Sequence, residues 1–116
     1  MNHKTVMEKS LDFAVRIVNL REYLTASKKE YTMSKQLLRC GTSIGANIAE
    51  AQRGQSRADF AAKMSIALKE ASETEYWLRL LYRTHYLSQK QFDSLYSDVS
   101  ELLKMLTAIC KCVNEK

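Results

Sequence analysis

An all-α protein, folded as an antiparallel up-and-down four-helix bundle, is what the sequence predicts, and three observations predict it. The chain has no proline and only three glycines, Gly41, Gly45 and Gly54, too few turn residues for a β-rich fold of this length. Apolar residues recur every three or four positions through four separate segments. Three of those segments open on a helix-capping signature. With 116 residues the chain makes one domain, 1–116, because no second core could be filled from what remains. Folding should bury roughly two thirds of the unfolded surface, enough for a stable core without much surplus.

The first helix starts at Thr5, which forms a capping box with Glu8: each side chain takes a backbone N–H that the helix leaves open. Phe13, Ile17, Leu20 and Leu24 then make one apolar stripe, and the polar stretch Ala26 to Thr32 connects it to the next helix. The second helix is expected from Met33 to Arg53, with Met33, Leu37, Cys40, Ile44, Ile48 and Ala51 in step. Gly54 is placed to end it as a left-handed C-terminal cap.

For the third helix Ser56 is the N-cap and Asp59 stands at the capping-box position. Its stripe runs Phe60, Met64, Ala67, Ala71, Thr74, Leu78, Leu81, His85. A second line, Ile66, Glu70, Glu73, Trp77 and Leu80, adds apolar groups on another face and suggests self-association, since a bundle helix needs only one buried side. The fourth helix starts at Ser88, with Gln91 reciprocating and Leu87 positioned to pack on Phe92. Phe92, Leu95, Val99, Leu102, Leu106, Ile109 and Val113 continue near a period of 3.5, which implies shallow packing between neighbours. Short connections favour antiparallel neighbours.

A net charge of +5 makes an acidic partner conceivable, although solubility alone explains an excess of that size equally well. The excess is uneven: residues 1–55 carry nine Lys/Arg against five Asp/Glu, residues 88–116 four against four. Cys40, Cys110 and Cys112 are odd in number and lack the C-x-x-C spacing of redox or zinc sites. The opening MNHKTVMEKS has no apolar run of signal-peptide length, and no segment approaches a membrane span. A cytoplasmic protein, with no membrane partner, is the expectation.

Gly41-Thr42-Ser43-Ile44-Gly45 matches G-x-S-x-G, but that chemistry requires a strand-to-helix elbow, and here the motif lies inside a helical period. The better reading is close approach: Gly41 and Gly45 share a helix face and each costs the helix roughly 1 kcal/mol relative to alanine, so packing must return something. Glu70 and Glu73 are three apart, but no E-x-x-H exists and His3 and His85 are the only histidines. His85 reads as a core or capping residue, and Glu70, Glu73 and Glu75 as a solvated face pairing with Lys69 and Arg79. Asn47 and Glu50 are equally well read as surface residues or as interfacial hydrogen-bonding groups that fix register. No catalytic set, metal set or cofactor site emerges, so a non-enzymatic protein is expected. The basic candidates for phosphate contact are Lys28, Lys29, Lys35, Arg39, Arg53, Arg57, Arg79 and Arg83. No zinc-finger, helix-turn-helix or RNP pattern accompanies them, which argues against base-specific readout.

The segment from Thr42 to Leu81 resembles the four-helix-bundle family of the 23S rRNA intervening-sequence proteins. That family also takes in the accessory variability determinant of diversity-generating retroelements. Ser43-Ile44-x-x-Asn47-Ile48-x-Glu50, Asp59-Phe60, and Ile66-Ala67 through Glu70 and Glu75 to Trp77-Leu78 carry the resemblance, which extends more loosely over nearly the whole chain. It implies a ring-shaped homo-oligomer, typically a homopentamer; the candidate packing or interface residues read from the sequence are Gly41, Ser43, Gly45, Asn47, Glu50, Trp77 and Leu80. It also implies RNA or DNA, and a reverse transcriptase or other protein, as partners. Two functions follow as expectations: a non-enzymatic accessory protein that binds nucleic-acid backbone through basic patches, or a protein–protein scaffold on which the charge is incidental.

Overall fold

The computed structural model describes residues 4–114; His3 lies outside them. Four helices account for most of that length: α1 (Val6–Ala26), α2 (Met33–Gln52), α3 (Arg57–Arg83) and α4 (Gln89–Asn114). Among the described residues there is no strand. The connections are too short to run the length of a helix, so each helix must reverse the direction of the one before. Lateral contacts agree. Lys63, early in α3, pairs with Glu50, late in α2, at 2.7 Å, and Arg57 at the start of α3 reaches Val113 O at the end of α4. Each helix packs on its two neighbours around the bundle, α2 on α3 most extensively and α1 on α4 least.

The core is made from the stripes that the periodicity predicts, except that Met33, Phe60, Phe92, Ile109 and Val113 are half-buried and α4 ends its buried line at Cys110. Phe13, Ile17 and Leu24 from α1, Leu37, Ile44 and Ile48 from α2, Met64, Leu78 and Leu81 from α3, and Val99, Leu102 and Leu106 from α4 are almost wholly buried. Each such side chain contributes about 1.5–3 kcal/mol by leaving water, and the sum holds the helices against their conformational entropy. The sparse α1/α4 seam is supplemented by charge: Arg16 bonds Asp98 Oδ2 at 2.5 Å and Ser94 Oγ at 2.9 Å, and Lys9 meets Glu101 at 3.1 Å.

The helix ends show where local chemistry agrees with the sequence and where it does not. The capping boxes of α1 and α4 form as expected, with Thr5 and Glu8 exchanging backbone N–H bonds and Ser88 and Gln91 doing the same. At α3, Ser56 Oγ accepts the Asp59 N–H, but the Asp59 carboxylate takes the Gln55 N–H instead of the Ser56 N–H. Gly54 is not a left-handed cap: no glycine has positive φ. Arg53 ends α2 at φ −104° and ψ 6°. What Gly54 provides is room, since a Cβ there would lie 3.2 Å from both Ala51 O and Asp59 Cβ. The left-handed positions are Lys29 (φ 56°) and His85 (φ 70°). His85 therefore caps α3 and does not continue its stripe, and it is exposed. Its N–H bonds Tyr82 O and the following Tyr86 N–H bonds Leu81 O, the two bonds of a Schellman ending.

Gly41 and Gly45 bring α2 against α1. A Cβ on Gly41 would stand 2.9 Å from Ile17 Cγ2, and one on Gly45 2.9 Å from Ser10 Oγ, both closer than side chains normally allow. The stability given up in the helix is returned as close approach of two backbones.

Candidate nucleic-acid interface

The eight basic residues separate into three places. Lys28 and Lys29 lie in the α1–α2 connection, Lys35 is in the first turn of α2, and Arg79 and Arg83 lie in the last turns of α3. All five belong to the end of the bundle formed by the α1–α2 and α3–α4 connections. Arg53 and Arg57 flank the α2–α3 turn at the opposite end, and Arg39 sits midway along α2. The structure does not gather all eight on one face.

It also divides them by what they already hold. Arg39 pairs with Glu73 and, at 3.4 Å, with Glu70. The Arg39 hydrogen bond, together with the Trp77 Nε1 donor at 3.0 Å, holds the Glu73 carboxyl below the usual carboxylate range. These acids thus bind across to α2 and not to Lys69. Arg57 donates to Val113 O at 3.3 Å, satisfying one of the open carbonyls at the end of α4. Arg79 bonds Tyr96 Oη at 3.0 Å and approaches Glu75 at 3.6 Å, while Tyr96 Oη donates to Glu75. Among the described residues Lys28, Lys29, Lys35, Arg53 and Arg83 form no ion pair.

Four of those five lie at the same end, where the acid of the α1–α2 connection, Glu30, is committed elsewhere. That carboxylate is 8% exposed and accepts the backbone N–H groups of Thr32, Met33 and Ser34 at 3.1, 2.9 and 2.8 Å. It caps α2, where a negative charge also meets the positive end of the helix dipole. The acid of the connection is therefore turned inward while Lys28 and Lys29 remain in solvent. The sequence reading passed over Glu30 because it stands outside the usual N-cap pattern, two residues ahead of Thr32. Lys90, in the first turn of α4, adds an exposed cation at this end and was also missed.

Beside the basic end lies an aromatic ladder that the periodicity treated as ordinary core. Tyr82 stacks on Phe92 with ring centroids 4.6 Å apart and planes 17° apart, and Phe92 stacks on Tyr96 at 5.1 Å and 29°. All three rings are half-buried. Together with Arg79 and Arg83 they line an open recess of about 230 Å³.

Ser43 Oγ donates to Arg39 O within the helix at 2.7 Å, so it forms no nucleophile elbow. Asn47 Nδ2 donates to Ser43 O at 2.8 Å, a local bond, and Glu50 is exposed in its pair with Lys63. Trp77 and Leu80 are half-buried. The largest exposed apolar stripe is on α1: Leu11, Val15 and Val18, at 60%, 55% and 44%. Their i, i+4, i+7 spacing was readable in the sequence but lies outside the stripe chosen for the core. Among the described residues no three metal-binding side chains come together, and no helix is long and apolar enough to cross a membrane.

The family model of the 23S rRNA-intervening sequence protein matches residues 2–108. The chain belongs to this family. A crystal structure of a protein of unknown function from the S23 ribosomal protein family of Bacteroides thetaiotaomicron superposes with a TM-score of 0.91. That protein is 59% identical, and the match covers 92% of this chain and 99% of the other. No curated protein matches. Membership of the intervening-sequence family agrees with the four-helix architecture, and the relative's similarity extends over essentially its full length.

Proposed function

We propose that this member of the 23S rRNA-intervening sequence protein family is a non-enzymatic accessory protein that associates with copies of itself and binds nucleic-acid backbone through its basic loop end. The observation that carries the reading is the charge separation around Glu30. One acid is buried in a cap, while Lys28, Lys29, Lys35 and Arg83 at that end hold no carboxylate partner among the described residues. Free cations gathered at one end suit phosphates, whose condensed counterions they release. The exposed Leu11, Val15 and Val18 supply an apolar helix face for self-association. Repetition of the basic end around a ring, five-fold on the family resemblance, would add avidity to a modest charge on each protomer.

The test is light-scattering mass after size exclusion, recorded with absorbance at 260 and 280 nm, at low salt and again after nuclease treatment at high salt. The reading expects an oligomer that carries nucleic acid at low salt and loses it at high salt without losing protein mass. A monomer, or an oligomer that takes up no added RNA or DNA at low salt, would overturn it.

A further inference from the structure

The recess formed by Tyr82, Phe92 and Tyr96 with Arg79 and Arg83 has a chemistry that phosphate binding alone does not use. A bundle helix buries one stripe, and α3 and α4 already do so through Leu78, Leu81, Leu95 and Val99. The three rings lie beside that stripe as a near-parallel ladder, each with part of its surface left open to solvent. A core contact between aromatic rings has no need of cations, yet two guanidinium groups border this one. Arg79 is held in place by Tyr96 Oη at 3.0 Å and lies 5.6 Å from that ring's centroid. Arg83 is exposed and without an ion pair among the described residues. None of the five residues lining the recess is acidic.

We infer that this recess is a stacking site for an unpaired base of single-stranded nucleic acid, with Arg83 on the adjoining phosphate and Arg79, held by Tyr96 and Glu75, bordering the ring faces. The inference rests on the backbone-binding reading above and adds to it which form of nucleic acid is preferred. A planar, electron-rich ring can extend the Tyr82–Phe92–Tyr96 ladder only if its own face is free, and in a duplex both faces of every internal base are covered. The site is close to the basic end along the chain: Arg83 is the last residue of α3, and Phe92 is the fourth residue of α4, two positions after Lys90. A strand whose backbone follows Lys28, Lys29, Lys35 and Lys90 can therefore turn a base into the recess without leaving that surface. The aromatic faces are indifferent to base identity, so the preference is for strandedness and not for sequence.

Fluorescence anisotropy on the intact oligomer tests this with three probes of equal length: a uridine 12-mer, the same backbone with abasic sites throughout, and a duplex. Stacking of a single base is worth about 1–3 kcal/mol, so the uridine 12-mer should bind roughly ten-fold or more tightly than the abasic strand at the same phosphate count. Tyr82→Leu should shrink that ratio. The exposed Arg83→Gln removes a phosphate contact common to both strands and should weaken both while leaving the ratio unchanged. Unchanged circular dichroism shows in each case that the bundle is intact. Equal affinity for base-bearing and abasic strands would overturn the stacking site and leave backbone binding standing. A duplex bound as tightly as the uridine 12-mer would also overturn it. Failure of all three probes to bind would overturn both readings together.

Discussion

Gly45→Ala tests the close contact between α1 and α2 and has a sign that can be worked out beforehand. The added Cβ would lie 2.9 Å from Ser10 Oγ, where ordinary contact begins at 3.4 Å. Ser10 is wholly buried and its hydroxyl is committed to Met7 O at 2.7 Å, so it cannot swing into solvent. Overpacking of this kind costs about 1–3 kcal/mol, against a gain of about 1 kcal/mol from replacing glycine in mid-helix. The single variant should therefore be destabilised by about 1 kcal/mol. In a Ser10→Ala background the clash disappears, because the next contacts are the position-10 Cβ at 3.5 Å and Met7 Cε at 3.7 Å. There Gly45→Ala keeps only its helical gain and should stabilise by up to about 1 kcal/mol. Chemical denaturation at matched protein concentration, on all four corners of the cycle, gives a coupling of about 2 kcal/mol, well inside the range for touching residues. A single variant more stable than the parent, or the same effect in both backgrounds, would refute the claim that Gly45 is glycine because of Ser10.

Glu30→Ala strands three backbone N–H groups at the start of α2 and should cost about 2 kcal/mol in denaturant unfolding. The Glu73 carboxyl is held low by Arg39 and Trp77, so the unfolded chain takes up its proton first as pH falls. Stability from this group is present above its ordinary value of 4.5 and is lost on acidification through the lower folded value. Glu73→Gln should therefore flatten the acid limb of a Tm-against-pH curve, most visibly below pH 4.5. Burial pushes the Cys40 thiol up to about 11, and Cys110 is also buried while Cys112 is exposed. Iodoacetamide at pH 8 should label Cys112 alone in the folded protein, as read by peptide mass, and Cys40 only after denaturation.

Most of the fold was legible because helical periodicity reports burial directly: most stripe residues between Phe13 and Leu106 are core, with His85 at the end of α3 the clear exception. The capping boxes at Thr5 and Ser88 were legible for the same local reason, that their partners lie three residues away. What escaped depends on longer or less regular geometry. Glu30 caps α2 from outside the standard pattern, and the left-handed positions fell to Lys29 and His85 when Gly54 was the residue best suited to one. Arg39 looked like a free cation in sequence, yet Glu70 and Glu73 lie 31 and 34 residues away and meet it only once α2 and α3 pair. The aromatic ladder joins Tyr82 to Phe92 and Tyr96 across the α3–α4 turn, so no single-helix period contains it. Charge was readable as a list of residues; which charges remain free was not, because that is decided by tertiary pairing.

The central claim is that the loop end, and not the opposite end, meets phosphate. The direct measurement is the slope of log affinity against log salt for a uridine 12-mer, with Lys28, Lys29, Lys35 and Arg83 changed together to Gln and, separately, with Arg53 and Arg57 changed to Gln. Each lost phosphate contact on a single strand reduces the slope by about 0.7, so the fourfold variant should lose about 3 while the twofold variant keeps the parental slope. A fourfold variant with the parental slope, or a loss confined to Arg53 and Arg57, would contradict the account.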